Sequence, residues 1–367
     1  MKVPLIDLRA SLTPIKDELF EQLEKTLEGM NLFLGPNVQA LEQEFADFCR
    51  VKHGVGVSSG TDALSLALRA LDIGPGDEVI VPSLTFFASI ESIVHVGAVP
   101  VFADVDPDTL TIDPQKAAQL ISGDTRAIMP VHLYGHPADM DPILQITHNH
   151  DLRVIEDCAQ AHGARYNTRR CGAMADAGAF SFYFTKNLGA YGEGGLVTTP
   201  HDIVAERIGQ LRHHGQVSKF EHASIGYNMR LDEMQAIILR IKLRSLDENN
   251  RRRCSIARQY DQLFADTDIR LLRPRADSEP VYHVYPVRLN RRDALRDHLE
   301  KQGIGTGIHY KIAGHQQPAM QKHPHRTGDM TVTESVCQDL LSLPMYPEMT
   351  AEQIEYVADK VLDFLRR

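Results

Sequence analysis

Between residues 54 and 199 the chain alternates short, β-rich apolar runs with stretches of helix-spaced apolar residues, and this alternation constrains the fold more than any other feature. The runs lie at 54–58, 78–82, 99–103, 126–131, 153–156, 178–184 and 195–199. Between them, helix spacing at 61–71, 85–96, 114–121 and 140–150 supplies the crossovers. A strand with one face in water alternates polar and apolar residues; these runs are apolar throughout, so both sheet faces are covered. The expectation is an α/β fold, a mostly parallel seven-stranded sheet with helices on both faces.

Flanking this region the pattern changes. After a short arm, residues 12–30 and 37–50 read as two helices separated by Gly35-Pro36. From Leu231 a helical pattern runs toward Phe264, and a large α/β domain is expected over residues 1–245. Residues 246–367 read as a smaller α+β domain, with strands near 281–289 and 308–310 and helices at 292–302, 332–341 and 351–365.

The formal net charge of −10 leaves no basic excess to neutralise phosphates, so nucleic acid is not an expected partner. Five cysteines without a Cys-x-x-Cys pair suggest neither a disulfide framework nor a metal site. No signal pattern opens the sequence and no apolar run approaches the ~20 residues of a bilayer span, so a cytoplasmic protein without a membrane partner is expected.

Three groups carry chemistry. Ser58-Ser59-Gly60-Thr61-Asp62 lies where a strand gives way to a helix, where free N–H groups and the helix dipole can hold a phosphate; a plain N-cap accounts for the same residues. Asp157 ends an apolar strand, the place where open α/β sheets put their ligands, and wants a cationic partner, either a protonated pyridine nitrogen or an arginine. Lys186 follows the next strand, where Phe180, Phe182 and Phe184 give way to glycines, and an amine at a pocket mouth can be a nucleophile. In this order the three are what pyridoxal phosphate requires: a phosphate anchor, a carboxylate for the ring nitrogen and an imine-forming lysine. Phe86 or Phe87 could cover the ring. The glycines at 189–195 precede a strand and open no helix, so they are no dinucleotide fingerprint.

Six stretches make the sequence recognisable: Ser-Gly-Thr-Asp-Ala-Leu (59–64), Gly-Pro-Gly-Asp-Glu-Val-Ile-Val-Pro-Ser (74–83), Pro-Val-His-Leu-Tyr-Gly-His-Pro-Ala-Asp-Met (130–140), Glu-Asp-Cys-Ala-Gln-Ala-His-Gly-Ala (156–164), Phe-Ser-Phe-Tyr-Phe-Thr-Lys-Asn-Leu-Gly-Ala-Tyr-Gly-Glu-Gly-Gly (180–195) and Thr-Gly-Ile-His-Tyr (306–310). The chain resembles the DegT/StrS-like sugar aminotransferases, fold-type-I pyridoxal-phosphate enzymes, over nearly its whole length. The resemblance implies that Lys186 is the Schiff-base lysine and Asp157 the partner of the pyridine nitrogen. It assigns Gln160 to the cofactor's phenolic oxygen, Gly60, Thr61 and Ser181 to the phosphate, and Phe86 to the stacking ring.

Further implications concern assembly and substrate. Asn228 would reach across a homodimer interface to the neighbour's phosphate, and His309, Tyr310 and His315 would line the sugar pocket. The implied reaction moves an amino group from an amino acid, glutamate, to a keto group of a nucleotide-linked (dTDP- or UDP-) hexose, with a lean toward a 3-keto sugar. Amination of a 4-keto sugar or a keto-cyclitol is the alternative. A sugar dehydratase ranks below, because Lys186 is present and the cysteines are unclustered; a non-catalytic regulator ranks below, because no basic reading element exists. Phe184, Cys158 and Lys311-Ile-Ala-Gly314 depart from the family's commoner residues.

Overall fold

In the computed structural model, which describes residues 1–367, the seven runs form β1 (His53–Val57), β2 (Glu78–Pro82), β3 (Val99–Ala103), β4 (Thr125–Ile128), β5 (Arg153–Asp157), β6 (Ala177–Ser181) and β7 (Gly195–Thr199). They lie in the order β1-β7-β6-β5-β4-β2-β3, and the two-residue strand Arg326–Thr327 adds to the β3 edge. β7 is antiparallel to both neighbours, while the remaining pairs are parallel.

Successive side chains of a strand point to opposite faces, and the core divides accordingly. Ile80, Val101, Ile128, Val154, Phe180 and Leu196 meet the helices Pro36–Cys49, Met140–His150 and Glu233–Leu243 on one face. Val79, Val81, Phe102, Ala127, Ile155 and Val197 meet Gly60–Ala70, Phe87–His95 and Asp202–Leu211 on the other. Both faces are covered, as continuous apolar runs require. No helix is long and apolar enough to cross a membrane.

The helical pattern from Leu231 splits into Glu233–Leu243 and Leu246–Phe264, and the second helix joins a separate core with Tyr285, Leu295, Leu341 and Val357. There Tyr285–Arg288 is the centre of a three-stranded antiparallel sheet, between Arg270–Leu271 and Leu340–Leu343. Two expectations are corrected here. Residues 308–310 are not a strand: only Gly307 bridges the sheet, at Ser342, before the chain turns at His309-Tyr310. The helix expected to Leu341 ends at Asp339, and Leu340–Leu343 is the strand in its stead, because a stretch as short as Leu-Leu-Ser-Leu has no period to separate helix from strand.

Candidate active site

Because β7 alone runs backwards, the carboxyl ends of β1, β5 and β6 and the start of β7 share one rim of the sheet. Packing there leaves no room for side chains: a Cβ on Gly195 would lie 2.2 Å from the Ser59 carbonyl oxygen, and one on Gly60 would lie 2.5 Å from the Ser181 Cβ. Ser59 is the N-cap of helix Gly60–Ala70, its Oγ accepting from the Asp62 N–H at 3.1 Å. The first N–H groups of a helix have no intrahelical acceptor, so the helix start, with Gly60, Thr61 and Ser181 around it, is a small cup suited to an anion. The Ser59 N-cap leaves the Gly60 and Thr61 N–H groups without an acceptor in the chain.

β5 carries Asp157 to the same rim, where it is buried. Its Oδ1 accepts from the Ala159 N–H at 3.0 Å and its Oδ2 from the Ser89 hydroxyl at 2.6 Å, which compensates the carboxylate's desolvation. Three residues on, Gln160 Oε1 accepts from the Tyr134 N–H at 2.7 Å and Nε2 donates to the Tyr310 hydroxyl at 3.0 Å. The Tyr134 hydroxyl in turn donates to the His309 carbonyl. Gln160, Tyr310 and His309 are thereby one network.

Lys186 is half-buried in the turn after β6. Burial pushes its amine down to about 8, against the opposing pull of the Asp157 and Glu193 carboxylates. The next residue fixes that turn: Asn187 Nδ2 donates to Asn250 Oδ1 at 3.0 Å and to the Val281 carbonyl at 3.1 Å, while its Oδ1 accepts from His283 Nδ1 at 3.2 Å. Burial, and then the Lys186 charge, hold the His309 imidazole down at about 4, so it is neutral near pH 7; its Nδ1 lies 2.9 Å from Ser342 Oγ.

Phe86 stands at the start of helix Phe87–His95, 55% exposed, its ring centroid 5.9 Å from that of Tyr310. His315 is held from both sides, Nδ1 at 2.7 Å from Ser83 Oγ and Nε2 at 3.1 Å from Glu334 Oε1. Asn228 is exposed, and its side chain makes no hydrogen bond within the chain. It sits in the segment that carries the hairpin Gln216–Ser218/Glu221–His222, whose Phe220 is 83% exposed and whose neighbour Ile225 is 93% exposed.

Sequence reasoning missed Tyr134, Ser89, Asn187 and His283. Tyr134 and Asn187 lie inside two of the recognisable stretches, which was the available signal; Ser89, in an apolar helix, offered none. The arrangement can seat a phosphate, hold a cationic ring nitrogen against a buried carboxylate and present a partly neutral amine beside both. Gly60, which brings the helix start closer to Ser181 than a Cβ would allow, fits a phosphate-bearing group held by backbone N–H groups and a serine hydroxyl.

The chain is similar to known aminotransferases over nearly its whole length. A curated transaminase of Streptomyces venezuelae, dTDP-3-amino-3,4,6-trideoxy-alpha-D-glucose transaminase, is 44% identical over 367 residues, covering 100% of this chain and 97% of that protein. A UDP-N-acetyl-3-dehydro-alpha-D-glucosamine 3-aminotransferase of Acidithiobacillus ferrooxidans is 46% identical over 358 residues, covering 97% of this chain and 96% of that one. The crystal structure of S. venezuelae DesV superposes with a TM-score of 0.97 at 44% identity, covering 100% of this chain and 99% of that chain. The model of the DegT/DnrJ/EryC1/StrS aminotransferases matches residues 13–362, a span that holds the cup, the carboxylate and the lysine alike. The chain therefore belongs to the DegT/DnrJ/EryC1/StrS aminotransferase family.

Proposed function

We propose that this aminotransferase moves the amino group of L-glutamate to a ketone at carbon 3 of a nucleotide-linked hexose, carried on dTDP or UDP. One observation supports the reading most: an anion cup, a buried carboxylate and a lysine amine brought down to about 8 share one rim of the sheet. The names of the two curated relatives, each a 3-amination of a dTDP- or UDP-linked sugar, favour the substrate class.

Pyridoxal 5′-phosphate is the cofactor, and when bound it supplies an electron sink for charge developing at the reacting carbon. The chain's own residues supply the rest. The N–H groups at Gly60 and Thr61 and the Ser181 hydroxyl would hold the phosphate, with Phe86 stacking on the ring. Asp157 would keep the ring nitrogen protonated. Gln160 has one amide N–H to spare after its bond to Tyr310, and that proton suits the phenolic oxygen. An amine near 8 is about one-tenth neutral at pH 7, so Lys186 can take a proton from the substrate's reacting carbon and deliver it to the cofactor's carbonyl carbon. His309 and Tyr310 would face the sugar, and His315 would fix the segment that follows them.

The active unit is read as a homodimer in which Asn228 serves the partner's phosphate. Its exposure, its free side chain and the apolar Phe220 and Ile225 beside it support this. Incubation with glutamate and a panel of dTDP- and UDP-linked 3-keto and 4-keto hexoses and free keto-cyclitols, with products followed by mass, tests the reading. The expected product is a 3-amino nucleotide-sugar; amination of 4-keto sugars or free keto-cyclitols alone would overturn the assignment.

A further inference from the structure

We infer that Ser89, backed by Thr85, is a positioning residue for Asp157 and biases the proton at the cofactor's ring toward nitrogen; the inference rests on the role given to Asp157 above. The donors can be assigned by elimination. An ionised carboxylate only accepts, so the single Ser89 hydroxyl proton goes to Asp157 Oδ2, 2.6 Å away. Ser89 Oγ, lying 2.7 Å from Thr85 Oγ1, is then the acceptor of the Thr85 proton. The result is a directed relay, Thr85 to Ser89 to Asp157, with all three residues buried.

Two consequences follow. The Ala159 N–H on Oδ1 and the Ser89 hydroxyl on Oδ2 pin the plane of the carboxylate from both oxygens. The hydroxyl also stabilises negative charge on the oxygen, and its own bond from Thr85 polarises it further, so a proton shared between carboxylate and ring nitrogen stays on nitrogen. Packing alone would not call for hydroxyls here. Ala88, Ile90 and Ile93 around Ser89 are core residues, and a buried hydroxyl without partners is costly. Thr85 and Ser89 also bracket Phe86, so one turn of chain governs both the stacking ring and the carboxylate.

The test uses holoenzyme loaded with pyridoxal phosphate labelled with ¹⁵N in the ring, whose chemical shift reports protonation of that nitrogen. Ser89→Ala is expected to move the resonance toward the unprotonated value and to lower kcat about tenfold with KM for the sugar unchanged, the size of one lost charge-assisted hydrogen bond. Ser89→Thr should restore both. Thr85→Val, which keeps Ser89 and the local volume, should move the resonance less and in the same direction; it keeps the test decisive if Ser89→Ala retains cofactor poorly. Asp157→Asn separates the two readings. If it moves the resonance while the Ser89 and Thr85 variants do not, the relay is refuted. If it too leaves the resonance unmoved, the role of Asp157 itself fails.

Discussion

Gly60 and Ser181, 121 positions apart, touch so closely that a Cβ on the glycine would lie 2.5 Å from the serine's Cβ. Overpacking of this kind costs about 1–3 kcal/mol, and here the displaced wall is that of the phosphate cup. Gly60→Ala should therefore weaken pyridoxal-phosphate binding by about ten- to a hundredfold, read by fluorescence titration of the apo-protein. Unchanged affinity in a folded variant would remove the cup from this part of the fold.

Lys186 sets a pH dependence whose sign follows from its lowered amine. Below about 8 the folded apo-protein holds the ammonium form, which cannot attack a carbonyl; above it the free base dominates. The rate of capture of pyridoxal phosphate by apo-protein should rise with pH and level off above about 8, in stopped-flow absorbance. A rate still climbing through pH 10 would mean an ordinary, solvated lysine. Lys186→Ala should abolish capture and turnover.

His315 is braced by Ser83 on one side and Glu334 on the other, while the His315 N–H also donates to Ser83 Oγ at 3.1 Å. These contacts fasten the segment after Tyr310 to the end of β2. His315→Ala should raise KM for the keto-sugar about tenfold through loss of positioning, and leave the half-reaction with glutamate near its wild-type rate. Equal losses in both half-reactions, measured separately by rapid mixing, would show instead a general disturbance of the site.

Asn228 offers a test of assembly that needs no structure of the dimer. Neither Lys186→Ala nor Asn228→Ala homodimers should turn over efficiently. Mixed and re-associated, they form heterodimers with one intact site, and about a quarter of wild-type activity should return. No recovery, despite exchange of subunits shown by native mass spectrometry, would place Asn228 in its own chain's site. Phe220→Asp with Ile225→Asp should shift the protein toward monomer in sedimentation, since both apolar side chains stand uncovered on the single chain and a partner would bury them.

How far these features could be read from sequence depended on how local their causes are. The seven strands were legible because each is a short apolar run with its own turn signals, and the places of Asp157 and Lys186 because they follow two of those runs. Leu340–Leu343 was not, since four apolar or small residues after a helix have no period that distinguishes continuation from a strand. Nor was the bracing of His315: Ser83 lies 232 residues away and Glu334 lies 19, and no local pattern links them. Ser89 was the least legible. Ala88, Ile90 and Ile93 beside it are core residues, and the carboxylate it serves is 68 positions further along the chain.

The lone antiparallel strand has a consequence for the order in which this protein becomes competent. β1 finds its ladder partner only in β7, so the sheet holds Gly60 beside Ser181 only once residues 195–199 have been synthesised. Helices and the central parallel strands can assemble on the nascent chain, but the phosphate's seat comes last among them. Binding of the cofactor during synthesis would thus act as a late latch, rewarding only chains whose two distant halves have already met.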